Sequence, residues 1–213
     1  TREFMYTDIP FTGAVLPGMP YTDEESRLLD SNGKDVILQM PASDSKGEKG
    51  QDELYISADT EAEKAEDITS AAVNDVNNCI GINTRMGPEI MGNSELVTAI
   101  AQVAKDEGLF MLSTLGTDKT KAKEVCEELD VKYFNGDIIL DGSGDISAIE
   151  KNLKKAAETA IENGYIIAVG HVGTKGGKAT AQAVKNVYEN FKDRGIHFVT
   201  MSELIKLMDE NTY

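Results

Sequence analysis

The sequence predicts an α/β protein built on a parallel sheet whose two faces are covered by helices. Short, continuous apolar runs alternate with segments of helical period along the whole chain, which is typical of buried parallel strands. No Asn-Gly turn joins two alternating runs, so no β-hairpin is indicated. The Asn-Gly pairs fit helix ends or loops. An open doubly wound sheet and a closed barrel both agree with this pattern.

Seven strands are predicted, each a short apolar run that ends at a turn or a polar cluster. They lie at 11–16, 35–40, in the run that begins at Cys79 and ends at the polar cluster 83–85, and at 109–113, 131–140 (two short pieces around Gly136), 165–169 and 196–199. Helices of apolar period fill the intervals. They lie at 22–30, 60–76, 93–107, 117–129, 145–163, from the Gly176-Gly177 pair to 193, and 202–208. The Ser- and Gly-rich segment 42–59 is predicted to be one long irregular loop.

Composition limits the classes of partner. The 213 residues are enough for one domain with a full core. Lys and Arg number 21 against 37 Asp and Glu, a net charge of -16, which argues against nucleic acid and anionic membrane surfaces as partners. Two cysteines make no disulfide framework. No apolar run has membrane-spanning length and no signal peptide is present. Because the chain begins at Thr1 without Met, we expect a processed or trimmed form.

Polar residues follow the apolar runs, where parallel strands place their sites. Asn83, Thr84 and Arg85 end the run that begins at Cys79, and His171 directly follows the run YIIAVG. Asp137 and Asp141 flank an apolar trio and either both face a cleft, or one of them caps a turn. One His with two Asp can bind a metal weakly, but it falls short of the His-rich sets of hydrolytic zinc.

Six motifs keep a family's order and spacing across residues 3–208. They are IPFTGAVLPGMPYT, DVILQMP, CIGINTRMG, EGLFMLSTLGT, FNGDIILD and AVGHVG. On these motifs the chain resembles the divergent polysaccharide deacetylase family, the YibQ-like branch of the NodB-like carbohydrate deacetylase superfamily.

This resemblance implies a distorted parallel β/α barrel of seven to eight strands and metal-assisted hydrolysis of N- or O-acetyl groups on a polysaccharide. In that mechanism a divalent metal such as zinc polarises the acetyl carbonyl, a bound water attacks, a carboxylate is the base and a His is the acid. It implies catalytic roles for His171, Asp137 and Asp141, with His171 and Asp141 as candidate metal ligands. It also implies an extracytoplasmic protein, exported or anchored through a segment outside this chain.

The chain departs from the family pattern at three positions. Gln39 and Arg85 stand where the pattern has His, and Ser113 stands where it has Asp. The family's first strand, which ends in Asp-Asp, has no counterpart in this sequence. Arg keeps its proton and repels a metal cation, and Gln is a poor zinc ligand. We therefore predict a degraded metal site. The matching positions are Asn83, Asp137, Asp141 and His171.

We predict that residues 1–213 form one deacetylase-like barrel domain of carbohydrate metabolism, which hydrolyses acetyl groups if it is active. Its saccharide-binding residues would be Gln39, Asn83, Arg85 and Ser113. The alternative is a non-catalytic binding protein for a glycan or an anionic small molecule, using Arg85 and the glycine-rich turn 170–177. Arg85 either clamps such an anion or pairs with Asp137 or Asp141.

Overall fold

The computed structural model describes residues 2–44, 54–84, 86–114, 121–142, 144–172 and 177–210. The chain divides into two compact units. We name residues 12–135 the sheet unit, and residues 1–11 together with 136–213 the terminal unit. The prediction of a single domain stays a prediction.

The described strands are short and occur at most of the predicted apolar runs. They are β1 (Thr12–Val15), β2 (Asp35–Met40), β3 (Ala42–Ser43), β4 (Ile56–Ser57), β5 (Cys79–Thr84), β6 (Phe110–Ser113), β7 (Tyr133–Asn135), β8 (Ile138–Ile139) and β9 (Ala168–Val169). The described helices separate them. They are α1 (Arg2–Met5), α2 (Thr22–Ser31), α3 (Ala62–Asp75), α4 (Pro88–Gly92), α5 (Ser94–Asp106), α6 (Ala122–Leu129), α7 (Ile146–Asn163), α8 (Gly177–Asp193) and α9 (Met201–Glu210).

The sheet unit contains a five-stranded parallel sheet in the order β1-β2-β5-β6-β7. The five strands of this sheet lie side by side in the order in which they occur along the chain, as in the wall of a β/α barrel. A doubly wound sheet instead reverses direction at a switch point, and the described part of this sheet has no reversal. The predicted α/β class with a parallel central sheet is confirmed, whereas closure into a barrel stays a prediction.

Helices α2 and α6, which contact strands toward opposite edges of this sheet, pack on the same face of it. The register places Gly13 beside Val36 and Ile82 beside Met111 on this face. A Cβ on Gly13 would lie 2.6 Å from a methyl carbon of Leu29 in α2. On β6 the Sδ of Met111 lies 3.5 Å from the Sγ of Cys126 in α6. Side chains alternate between faces along a strand, so the residues next to these on β2, β5 and β6 point to the other face.

The terminal unit holds a second, two-stranded parallel sheet, in which β8 pairs with β9. Its buried core joins the two long helices to these strands. The core residues are Ile9, Leu140, Ile149, Leu153, Ala157, Ala183, Val184, Val187 and Phe191. Gly164 ends α7 with a positive φ of 88°, as the Asn-Gly signal predicted.

Two strand predictions in the terminal unit need correction. Residues 196–199 do not form a strand, because the Ile196 N–H donates to the Phe191 carbonyl and closes α8. The Phe198 ring packs 5.5 Å from the Tyr188 ring rather than beside a neighbouring strand. Of the predicted strand 165–169, only Ala168–Val169 forms a strand, which pairs with β8. Ile196 and Phe198 pack against the core that includes α7 and α8, and apolarity alone does not distinguish such packing from a strand.

Segment 42–59 is not irregular throughout. Ala42–Ser43 and Ile56–Ser57 pair as parallel β3 and β4, and residues 45–53 lie outside the described ranges. Asp44 is fixed by the start of α4, where its carboxylate accepts the N–H groups of Glu89 and Ile90. Among the described helices, none is long and apolar enough to cross a bilayer.

Candidate functional site

Two polar residues that the sequence selected meet at the end of the terminal unit's small sheet. Asp141 follows β8 and His171 follows β9. The Leu140 N–H donates to the Val169 carbonyl at 2.8 Å, which extends the pairing to the residues just before the two side chains. Carboxyl ends of parallel strands lie at one edge of a sheet, so these side chains converge although 30 residues separate them.

Asp141 is buried, with 2% of its surface exposed, and both oxygens of its carboxylate take part in hydrogen bonds. Its Oδ1 lies 2.8 Å from His171 Nδ1. Its Oδ2 accepts the backbone N–H of His171 at 2.6 Å and the hydroxyl of Thr180 at 2.8 Å. The carboxylate is therefore fixed in orientation by donors from two elements, the end of β9 and the first turns of α8.

These contacts favour the ionised form of Asp141. Burial raises the pKa of the carboxyl group. The hydrogen bonds from the His171 ring, the His171 backbone and Thr180 together lower the pKa by more than burial raises it, so the pKa lies below its usual value. An ionised Oδ1 only accepts, so His171 carries its proton on Nδ1. In the neutral form of this ring the lone pair is on Nε2, and the side chain is 24% exposed. A neutral imidazole in this tautomer can accept a proton and then return it.

Asp137 lies at the opposite end of β8 from Asp141. Its Oδ2 accepts the Ile167 N–H at 2.8 Å, and its own N–H donates to the Ile167 carbonyl. Four extended residues span roughly 13 Å, so Asp137 is not brought together with His171. The contacts of Asp137 fasten the start of the β8–β9 pair, and its catalytic role stays a prediction that this placement does not support.

In the sheet unit, Gln39 and Asn83 form a pair of amides. They are register partners near the carboxyl ends of β2 and β5. Asn83 Nδ2 donates to Gln39 Oε1 at 2.7 Å. Asn83 is only 5% exposed, and its Oδ1 is buried with no hydrogen-bond partner among the described residues. This strand end thus presents a neutral, incompletely paired amide where the family resemblance implies a His-containing site.

Ser113 does not point to the same side of the sheet as this pair. Ser113 is level with Thr84 in the sheet register, one position beyond Asn83, so alternation directs its side chain to the opposite face. Arg85 and residues 173–176 of the glycine-rich turn lie outside the described residues. Substrate-binding roles for Ser113, Gln39, Asn83 and Arg85 stay predictions.

The donors near these strand ends do not fit the zinc ion that the resemblance implies. Within the described ranges, no three His, Cys, Asp or Glu side chains are grouped so that they could hold a metal ion. Asp141 uses both carboxylate oxygens for hydrogen bonds, so it orients His171 rather than offering a free ligand. The Gln39–Asn83 pair is neutral, whereas zinc prefers imidazole, thiolate and carboxylate donors.

Sequence analysis missed Thr180, and it assigned Gly170 to a possible anion-binding turn rather than to packing beside Asp141. Thr180 is 2% exposed and contacts Asp141 across 39 positions. A Cβ on Gly170 would lie 2.9 Å from Thr180 Cγ2 and 3.7 Å from Asp141 Oδ2, so glycine permits this close packing. A helical Thr carries no sequence signal for such a contact, because the hydroxyl more often bonds within its own helix.

Known proteins support the family assignment. Two relatives match 74% of the chain: an uncharacterised protein of Haemophilus influenzae at 29% identity, and the uncharacterised protein YibQ of Escherichia coli K12 at 25% identity. The matches cover 56% and 49% of these relatives, about half of their lengths.

The fold is similar to that of an uncharacterised protein from Agrobacterium tumefaciens C58, with a TM-score of 0.80 at 16% identity over 90% of this chain and 76% of that one. The sequence profile of the divergent polysaccharide deacetylases matches residues 1–205. The chain belongs to the divergent polysaccharide deacetylase family.

Proposed function

We propose that this protein removes acetyl groups from a polysaccharide by hydrolysis, with His171 as the proton-transfer residue. The observation that carries the proposal is the 2.8 Å contact between His171 Nδ1 and the buried carboxylate of Asp141. That contact fixes the tautomer of the ring and leaves Nε2 as the basic atom. Family membership supplies the substrate class.

The chemistry assigned to His171 consists of two proton transfers. Nε2 takes a proton from a water molecule while the water oxygen bonds to the acetyl carbonyl carbon. The imidazolium that forms is stabilised by the adjacent Asp141 carboxylate. It then gives the proton to the sugar nitrogen or oxygen as the bond from that atom to the acetyl carbon breaks. The products are acetate and a free amine or hydroxyl group on the sugar.

These two proton transfers require no zinc ion. Gln39, Arg85 and Ser113 occupy positions where the family pattern has His, His and Asp, and the described donors do not fit zinc. The proposed place of action is outside the cytoplasmic membrane, as the resemblance implies. Fractionation of cells that express the full-length native protein would test that location.

The second candidate function is saccharide binding without catalysis. The observation that favours it is the Gln39–Asn83 pair, because side-chain amides supply both donors and acceptors for sugar hydroxyl groups. In this function the His171–Asp141 contact would have only a structural role.

One experiment separates the two candidates. The protein, purified without chelator, is incubated with acetylated chitooligosaccharides and with peptidoglycan, and the released acetate is measured. We expect release by the wild type and a reduction of at least about 100-fold in His171→Gln. His197→Gln is the matched control, because His197 is the other histidine and is exposed.

Two results would contradict the proposal. Retained binding of the oligosaccharide with no acetate release favours the second candidate. Stoichiometric zinc in the purified protein, with activity that chelation removes, would overturn the assignment of a zinc-independent reaction.

A further inference from the structure

We infer that Thr180 is a positioning residue for His171, acting through the carboxylate of Asp141. Nothing in the family pattern identified this residue. Its consequence for catalysis rests on the proposed function, whereas its effect on the His171 ring can be measured without any activity.

The hydroxyl of Thr180 determines how the carboxylate is oriented. It donates to Asp141 Oδ2 at 2.8 Å, and the same oxygen accepts the His171 backbone N–H at 2.6 Å. With Oδ2 held by two donors, the other oxygen, Oδ1, is fixed toward His171 Nδ1. Without the hydroxyl, a single backbone donor would hold Oδ2, and the carboxylate would be freer to rotate about its Cβ–Cγ bond.

The hydroxyl of Thr180 is used differently from that of another buried helical threonine. Thr69 in α3 is 0% exposed and donates to the Ala65 carbonyl of its own helix at 2.7 Å, the usual choice for threonine in a helix. Thr180 is equally enclosed, yet its hydroxyl bonds to Asp141. The contact therefore links α8 to the end of the β8–β9 pair rather than satisfying the helix itself.

The methyl group of Thr180 has a separate role in packing. The backbone of Gly170 passes so close that a Cβ there would lie 2.9 Å from Thr180 Cγ2. Valine preserves a methyl group at this point and replaces only the hydroxyl, so Thr180→Val isolates the hydrogen bond. Serine does the reverse, since it keeps the hydroxyl and removes the methyl.

Long-range ¹H–¹⁵N correlation spectra of the two imidazole rings test the inference. The chain has only two histidines, so His197 serves as an internal reference. At a pH at which the imidazole rings are neutral, we expect wild-type His171 to be the Nδ1–H tautomer. We expect Thr180→Val to shift it toward a mixture of tautomers, with His197 unchanged, and to lower the rate of acetate release about tenfold. Thr180→Ser should keep the wild-type tautomer and the wild-type rate of acetate release. The matched control Thr69→Val should change neither.

An unchanged His171 spectrum in folded Thr180→Val would overturn the inference. If Thr180→Val does not fold, Thr180→Ser and Thr180→Ala decide instead. Distinct His171 tautomers in these two variants support the role of the hydroxyl, and identical tautomers overturn it. A wild type that releases no acetate refutes the proposed function alone, because the tautomer measurement still decides the role of Thr180.

Discussion

The buried polar side chain at the end of β8 in the terminal unit and the one at the end of β5 in the sheet unit differ in how completely they are hydrogen-bonded. Asp141 is 2% exposed and its two oxygens accept three hydrogen bonds. Asn83 is 5% exposed, donates one hydrogen bond, and has a buried Oδ1 with no described partner. A buried charge requires such compensation, whereas a neutral amide tolerates an unpaired atom at a smaller cost. The strand end of the terminal unit therefore holds a fully paired charge that can support a reactive histidine. The strand end of the sheet unit holds a neutral amide.

The largest stability effect should come from removing Asp141. We expect Asp141→Ala to lower the free energy of unfolding by about 3 kcal/mol, because the His171 N–H and the Thr180 hydroxyl lose a charged acceptor in a buried site. Urea unfolding followed by circular dichroism measures this. The control is Asp145→Ala, which removes an exposed N-cap carboxylate in the same unit and should cost about 1 kcal/mol. Equal losses in the two variants would contradict the comparison.

A smaller loss of stability is expected where Asp44 binds the start of α4 in the sheet unit. A Cβ on Gly87 would collide with the Asp44 carboxylate, which the Glu89 and Ile90 N–H groups hold in place. Moving that carboxylate breaks both hydrogen bonds, so Gly87→Ala should cost about 2 kcal/mol. Gly142→Ala is the matched control, because a Cβ there meets nothing within 4 Å. If chemical denaturation shows the same stability for both variants, Asp44 does not constrain α4.

Acid should weaken the terminal unit through Asp141. Its pKa is lowered in the folded state, so its stabilising contribution is fully present above the unfolded-state value near 3.8 and is lost as the pH falls through the folded value. The effect should be smaller than that of Asp141→Ala, because protonated Asp141 still fills its site. We expect unfolding free energies of the wild type to fall more steeply below pH ~4 than those of Asp141→Asn. Parallel pH profiles would contradict the lowered pKa.

The smallest effect is expected at the amide pair. Replacing both Gln39 and Asn83 by Leu removes a hydrogen bond together with the unpaired buried acceptor, so the free energy of unfolding should change by less than about 1 kcal/mol. Calorimetry at neutral pH measures this. A loss above about 3 kcal/mol would show that the Asn83 amide is fully paired in solution, and would remove the contrast with Asp141.

Much of the architecture followed from local patterns. The apolar runs predicted the positions of β1, β2, β5 and β6, because continuous burial on both faces requires such runs. The end of α7 was marked by Gly164, whose positive φ angle suits glycine. The same reasoning failed at residues 196–199, where apolar side chains pack on α8. Apolar content predicts burial, and the partner that provides it is a property of the fold.

The site could be predicted in part. Placing Asp141 and His171 at strand ends was enough to expect them at one sheet edge. It did not separate Asp141 from Asp137, which the sequence treats alike but which lie at opposite ends of β8. The spacing of four residues is compatible with a shared cleft only if the segment between them is not extended.

The sequence by itself determined the α/β class, the family and the residue types available at the strand ends, since these depend on local periodicity and on motif order. Only the tertiary structure decided which polar atoms are paired. It brought Thr180 and Gly170 to Asp141 and left Asn83 Oδ1 without a described partner. The physical reason is that hydrogen bonding and desolvation depend on distances of a few ångströms between residues far apart in the chain.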